Sequence, residues 1–578
     1  MSYPRPKSSV NDLPWLHGGD LIVQQLAAFG VKHLFTLTGG HISTLYDAAR
    51  FTEIEIVDFR HEQAAVHAAD AYARIQRDVS IAALTAGPGV TGGLTGIANA
   101  YYAESPVVTF GGRNPFQTDG AGNLQEAPQL ELLRPVTKFC AAIYDCYRAR
   151  DIVFDAFAAA KARRTGPAYI DLPVNVQLTQ FRPEDTPSLR QAPRWSRAAP
   201  DRDAVNQVAQ LLGKAKQPVI LAGTGAYWDR AEESLAQFSF AAKAPIYLNG
   251  MARGLLGKSH PYQVLGSRKQ ALHAADFVLL LGVDLDFRLG FGQSGVFHDD
   301  ATIVQVDPDA SRLGKNRDVT LAIVSDIDAF IVELMRYENM FGKTKSGLWI
   351  DNLKQKDKAR AFKMTAATPA TPGTVHPVQF VKEVTEFLDD DATVIGDGGD
   401  IVAMFAGRFM PGGPGLWMDP GPFGCLGVGA PFAIGARILR PSSQIAVIFG
   451  DGSFGLNGFE YDSAVRQNKP FVGIMGNDGA WGEMRTFHED MFGSSDLVAQ
   501  YLSQTTAYEK VVEALGGYGE RVHDASEIKP ALERAFRSGV PALVNVILDP
   551  SYRHENTSVS GKQVALAYGG GNKDAFKR

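Results

Sequence analysis

The stretch Ile445–Trp481, IAVIFGDGSFGLNGFEYDSAVRQNKPFVGIMGNDGAW, decides the fold. A strand-length apolar run, IAVIF, stops at Gly450-Asp451-Gly452. A helix-length segment follows, and a second apolar run, FVGIM, ends at Gly476-Asn477-Asp478. Strand, helix and strand in that order form a parallel α/β unit. Adjacent parallel strands bring Asp451 and Asp478 to one sheet edge, where paired carboxylates suit a hard divalent cation whose shell pyrophosphate oxygens complete. The glycines beside Asp451 let the backbone approach a phosphate, and the helix N-terminus behind it favours an anion. A second triplet, Gly396-Asp397-Gly398, has Gly424 at the spacing where the first has Asp478, so only the copy at 451 carries the paired acids.

Similar alternation runs outward along the chain. VKHLFTL, EIEIVDF, SIAALTAG, PVVTFGG and PAYIDLPV mark one set of expected strands, and a Pro-, Arg- and Ser-rich stretch from Phe181 reads as a linker. PVILAGTGAY, APIYLNG, ADFVLLLG, ATIVQVD and LAIVSD mark a second set. A segment that is polar and then Pro/Thr-rich precedes the third: TVIGDGGD, QIAVIFGDGS, FVGIMGND and ALVNVIL. The expected fold class is α/β, with three doubly wound parallel-sheet domains at residues 11–180, 200–340 and 372–553. A glycine-containing tail, 554–578, is expected to be flexible and able to close as a lid. No short-period repeat occurs, which excludes a solenoid.

At about 150 residues per domain, 578 residues fit several domains. The net charge of −6, without a Lys/Arg run, disfavours nucleic acid and anionic membrane as partners. Cys140, Cys146 and Cys425 form no CxxC pair, so a disulfide framework and a thiolate zinc site are unsupported. With neither a signal-type h-region nor a run of 18 apolar residues, the expected location is the cytoplasm.

The Ile445–Trp481 element resembles the motif of thiamine diphosphate-dependent enzymes, GDG followed by a helix and a strand ending in Asn-Asn, and the resemblance covers almost the whole chain. Here Asp stands at 478 in place of the usual Asn. The resemblance implies a magnesium ion held by Asp451, Asp478 and the backbone of Ala480. It places Gly452, Ser453, Asn477 and Trp481 around the cofactor, and the Gly398-Gly399-Asp400-Ile401 loop where the family holds the diphosphate. GPFGCLGVGAPFAIGAR is similar to the family's GTMGFGLPAAIGA, which implies a Gly424 carbonyl facing the 4'-amino group and Leu426 as the wedge that bends the cofactor. Arg60-His61-Glu62-Gln63-Ala64 resembles the RHE-x-A segment, implying that Glu62 shares a proton with N1' of the aminopyrimidine.

Two further stretches bear on the subfamily. GNLQEAPQLELLRPVTKF resembles the FQE...PxTK stretch of acetolactate synthases, which points Gln125 at the substrate, although Leu124 replaces the aromatic residue. Glu483, just after the expected metal site, is a candidate acid/base. In the middle domain, Gly266–Asp276 with DLDFRLGFG and VQVDPD resembles oxalyl-CoA decarboxylases and 2-hydroxyacyl-CoA lyases, which hold ADP there; the synthases hold FAD. Arg268, Asp307 and Asp326 are the candidate nucleotide contacts, and Asp284 replaces the Arg of GARLNW.

The expectation is a thiamine diphosphate- and magnesium-dependent lyase that cleaves a 2-hydroxyacyl-CoA into a ketone or aldehyde and formyl-CoA. The family implies a homodimer or homotetramer with active sites between subunits. An acetolactate-synthase-like carboligase acting on 2-oxo acids is the alternative, and a catalytically silent nucleotide-binding regulator is the alternative of another class. A strand-GxGxxG-helix unit with a downstream acid is missing, which argues against a nicotinamide oxidoreductase.

Overall fold

A computed structural model describes residues 13–192, 195–341, 346–363, 368–493, 496–555, 557, 562 and 564. Three parallel sheets carry the chain. The first comprises β1 (His33–Thr36), β2 (Glu55–Asp58), β3 (Ser80–Leu84), β4 (Val107–Arg113), β5 (Phe139–Ala142) and β6 (Ala168–Pro173), in the order β2-β1-β3-β4-β6-β5. Its helices include α1 (Glu62–Gln76) and α2 (Pro88–Tyr102). The central sheet holds β7 (Pro218–Ala222), β8 (Ile246–Leu248), β9 (Phe277–Leu281), β10 (Thr302–Asp307) and β11 (Leu321–Val324), in the order β8-β7-β9-β10-β11.

The third sheet consists of β12 (Thr393–Asp397), β13 (Trp417–Met418), β14 (Ile445–Gly450), β15 (Val472–Asn477), β16 (Tyr518–Val522) and β17 (Ala542–Ile547), ordered β13-β12-β14-β15-β17-β16. Counted within each sheet, this strand order is the same as that of the first. Helices α3 (Gly429–Leu439), α4 (Asp451–Asn457), α5 (Glu460–Arg466) and α6 (Gly482–Phe492) flank it. Among the described residues no helix is long and apolar enough to cross a membrane.

The central strands of every sheet match apolar runs, because strands covered on both faces are continuously hydrophobic. Three strands lie outside the runs quoted above: β5, β13 and β16. All three lie at sheet edges, where one flank meets no neighbouring strand and a short or half-polar sequence suffices; Tyr518–Arg521 of β16 are only partly buried. The polar segment after Met340, read as a boundary, contains a helix, Ser346–Lys363. Its Trp349, Ile350 and Leu353 are buried with central-domain residues, and the Trp349 indole donates to the Pro218 carbonyl at 3.2 Å.

The first and third domains meet along α1 and α3. Alanines of α1, among them Ala64, Ala65, Ala68, Ala69, Ala71 and Ala73, share one buried core with Phe432, Ala433 and Ala436 of α3. Small residues let the backbones approach closely: a Cβ at Gly435 would lie 2.5 Å from the Ala68 carbonyl oxygen. Gly435→Val should therefore destabilise the chain by about 1–3 kcal/mol through overpacking. Urea or thermal unfolding checks this, and an unchanged midpoint would contradict so close a packing.

Candidate functional site

The third sheet reverses its winding between β12 and β14, the place where doubly wound sheets open a crevice at their carboxyl ends. Gly398 and Gly450 meet there: Gly398 has φ +155°, and a Cβ on it would lie 2.9 Å from the Gly450 nitrogen. Above this contact is a cavity of about 440 Å3. Gly398, Gly399, Asp400 and Ile401 from the end of β12 line it, with Gly424 and Leu426 from the loop before α3. Asp451, Gly452 and Ser453 enter at the start of α4, and Asp478, Ala480, Trp481 and Glu483 beyond β15. One cavity thus unites nearly all the third-domain residues singled out in the sequence.

Buried hydrogen bonds set these loops. The Asp397 carboxylate accepts the Gly427 N–H at 2.9 Å and the Gly429 N–H at 2.8 Å, tying the loop of Gly424 and Leu426 to β12. Burial pushes the Asp397 carboxyl up to about 6, against the pull of these two donors. The Asn457 amide donates to the Gly427 carbonyl at 2.7 Å. The Ser453 hydroxyl donates to the carbonyls of Asp397 and Gly450, locking α4 onto both strands. Trp481 lies over Gly452, whose Cβ would fall 2.6 Å from the ring.

Asn477 departs from the expected set. It does not line the cavity: it is fully buried, donates its amide to Asn545 at 3.2 Å and accepts the Gly479 N–H at 3.1 Å. Its side chain shapes the turn that carries Asp478. The next residue along the chain projects the other way, so Asp478 rather than Asn477 faces the cavity.

The cavity is rich in acid. Asp451 is 3% exposed, and its Oδ2 has no hydrogen-bond partner. Burial, and then the charge of Asp478, push its carboxyl up to about 8. Asp478 is likewise raised by burial, with Arg485 opposing at 3.0 Å. Glu483 packs against Gly399, and burial followed by the charge of Asp400 raises it. Among the described residues no group of three His, Cys, Asp or Glu side chains is gathered to hold a metal ion. A cation beside Asp451 and Asp478 must then complete its shell from backbone, ligand phosphate and water, a donor set that suits magnesium.

The C-terminal segment starts at this cavity. Tyr552 lines it, and the Thr557 hydroxyl donates to Asp400. Most of the expected tail, 554–578, lies outside the described residues.

Glu62 and Gln125 sit apart, at the carboxyl edge of the first sheet. Glu62 opens α1, where His61 caps by accepting the Gln63 N–H at 3.0 Å. Its carboxylate lies against α2; a Cβ at Gly92 would fall 3.0 Å from Glu62 Oε2. Gln125, at φ +60°, lines a second cavity of about 350 Å3 with Arg113, Asn114 and Gln129. Gln129 and His41 were not singled out in the sequence. Gln129 is 1% exposed, accepts the Gly87 N–H at 2.7 Å and donates to Asp171 at 2.6 Å. His41 stands just beyond β1, its ring nitrogens 3.3 Å from the Thr85 hydroxyl and 3.2 Å from Asn114 Oδ1. The signal for it was Gly39-Gly40-His41 directly after an apolar run.

The nucleotide candidates belong to the central domain. Arg268 lies 3.5 Å from Asn249 Oδ1 and donates to the Arg288 carbonyl at 3.2 Å. Asp307 and Asp326 pair with arginines of the first domain, at 3.1 Å from Arg164 Nε and 3.4 Å from Arg163.

Comparison with known proteins adds to this geometry. Three family models match the chain: "Thiamine pyrophosphate enzyme, N-terminal TPP binding domain" at residues 16–132, "central domain" at 205–334 and "C-terminal TPP binding domain" at 397–546. A "Probable acetolactate synthase" of Mycobacterium bovis is 37% identical over 545 residues, covering 94% of this chain and 98% of the relative. A "2-hydroxyacyl-CoA lyase 2" of Caenorhabditis elegans is 35% identical, covering 94% and 91%, and its Homo sapiens namesake is 34% identical, covering 92% and 90%.

Proposed function

The chain belongs to the thiamine pyrophosphate enzyme family, and on that premise we propose that it is a magnesium-dependent carbon-carbon lyase cleaving a 2-hydroxyacyl-CoA into an aldehyde or ketone and formyl-CoA. The observation that carries the cofactor half of this reading is the partnerless Asp451 oxygen beside Asp478 at the crevice of the third sheet. A divalent cation there offsets the repulsion between two buried carboxylates and gives a diphosphate something to bind. The choice of an acyl-CoA rests on the central-domain resemblance and on relatives named 2-hydroxyacyl-CoA lyase 2.

When bound, thiamine diphosphate supplies a carbon nucleophile and stores the electron pair of the bond that breaks next to the carbonyl. The chain's own residues do the rest. Asp451, Asp478 and the Ala480 backbone hold the magnesium ion, and Gly398–Ile401 with Gly452 and Ser453 leave room for phosphate oxygens. Leu426 and Trp481, which line the cavity, would flank the cofactor. Glu62 would hold the proton at N1', Gln125 and His41 would meet the substrate's polar atoms, and Glu483, in the cavity wall, would move a proton. Glu62 and Gln125 lie outside the diphosphate cavity of their own chain, which supports a dimer as the catalytic unit: the first domain of one copy faces the third domain of another. The proposed domain bounds are 11–180, 200–340 and 372–553, with the helix Ser346–Lys363 packed on the central domain.

A second reading has a specific observation behind it. The Mycobacterium bovis relative is named a probable acetolactate synthase, which favours a 2-oxo acid. One assay separates the two. The protein, loaded with cofactor and magnesium, is given a straight-chain 2-hydroxyacyl-CoA in one vessel and pyruvate in another, with products read by mass spectrometry. Formyl-CoA with the shortened aldehyde is the expected result. Acetolactate from pyruvate alone would transfer the assignment to the synthase, and neither product from a cofactor-loaded protein would favour the regulatory alternative.

A further inference from the structure

The family resemblance implies a nucleotide at the carboxyl edge of the central sheet, and the residues there can be tested against one. The order β8-β7-β9-β10-β11 puts the reversal between β7 and β9, so Gly223, after β7, and Gly282, after β9, are where phosphates would approach. These loops instead pack on each other. The Gly225 N–H donates to the Gly282 carbonyl at 3.1 Å, and a Cβ on Gly282, at φ +61°, would lie 2.6 Å from Gly225 Cα. The helix behind, Thr224–Trp228, has only five residues.

The mouth of the crevice is filled from another domain. Arg164, just before β6, has a side chain 7% exposed, and its guanidinium reaches three carboxylates. It donates to Asp284 at 2.9 and 3.0 Å, to Asp307 at 3.1 Å through Nε, and to Glu104. Its neighbour Arg163 pairs with Asp229 and, at 3.4 Å, with Asp326. Burial pushes the Asp284 carboxyl up, but the charge and hydrogen bonds of Arg164, together with the charges of Arg312 and Arg288, more than offset this and hold it below the ordinary carboxylate range. Asp284 is the residue that stands where the resemblance calls for a basic side chain. A phosphate here would meet that anion and Asp307, while Arg164 and Arg312 are both already engaged with Asp284.

Space agrees with charge. The cavity among Gly223, Thr224, Asn249, Gly282 and Arg288 is about 30 Å3, whereas ligand pockets run to about 300–1,000 Å3. The cavity of the third domain, by contrast, measures about 440 Å3.

We infer that the central crevice takes neither ADP nor FAD, and that Arg163 and Arg164 close it as an ionic clamp between the first and central domains. The clamp occupies the position of a bound nucleotide and joins the two domains in its place.

The test uses the full chain purified with thiamine diphosphate and magnesium. Acid-released small molecules are identified by mass spectrometry, and ADP and FAD are titrated calorimetrically to millimolar concentration. Thiamine diphosphate alone in the extract and no saturable heat with either nucleotide are expected; stoichiometric ADP or FAD, or micromolar binding of either, overturns the inference. Arg164→Gln leaves Asp307 without its arginine and Asp284 with Arg312 alone, so its melting temperature should fall by about 2–4 °C. Adding Asp284→Asn should restore part of that loss. An Arg164→Gln variant that melts with the wild type overturns the clamp. If that variant does not fold, Asp284→Asn alone, which frees one limb of the clamp, and the nucleotide inventory of the unaltered chain still decide the matter.

Discussion

Glu62→Gln should lower turnover by about 10²–10⁴-fold, the range that a positioned proton-transfer group contributes, while the affinity for thiamine diphosphate changes little. Glu62 is assigned to hold a proton at N1', outside the cavity proposed for the diphosphate and magnesium. The substitution keeps the shape of the side chain and its seat at the start of α1, removing only the ability to exchange a proton. A structural role would not reproduce this split. Two readouts establish it: calorimetric binding of the cofactor, and the rate of hydrogen-deuterium exchange at its C2 position, which should slow along with turnover. Full turnover in the variant would remove Glu62 from the mechanism, and loss of cofactor binding would make it a structural residue.

Asp451→Asn should abolish cofactor retention. Removing one charge from a buried ionic set costs about 3–5 kcal/mol, which at about 1.4 kcal/mol per decade means binding weaker by roughly 10²–10⁴-fold. Asp451 lines the cavity with a buried oxygen that has no hydrogen-bond partner, so the loss should appear as a weakened response to magnesium. Arg485 already engages Asp478 at 3.0 Å, which leaves Asp478 less able to compensate. Dialysis against a chelator, followed by readdition of magnesium and cofactor, measures the effect. Retention equal to that of the unaltered chain would contradict the proposed cation site.

The third domain was readable because its site is built from loops that directly follow apolar strands, and glycine and acid mark those loops. Asp451 and Asp478 stand at equivalent strand ends, so adjacency in the sheet follows from the strand pattern alone. Asn477 shows where this runs out. The family resemblance placed it around the cofactor beside Asp478, but the pleat turns neighbouring side chains opposite ways, and Asn545, its partner, lies on β17. His41 and Gln129 were hidden for another reason: each is a single polar residue in or beside a loop, and only the fold shows that both lie at the edge holding Glu62. The arginine clamp was the least legible. Arg164 meets Glu104, Asp284 and Asp307 from far along the chain, and a single sequence carries no signal for such pairings. The edge strands β13 and β16 escaped because a strand with one free flank can be as short as Trp417–Met418 or as half-polar as Tyr518–Val522; β5 carries an apolar run, FCAA, too short to stand out.

The most direct test of the central claim is a calorimetric titration of thiamine diphosphate into the metal-stripped chain, with and without magnesium. The account predicts saturable binding of one cofactor per chain that appears with magnesium and disappears with a chelator. Absence of binding in the presence of magnesium, or equal binding in the presence of a chelator, would contradict it.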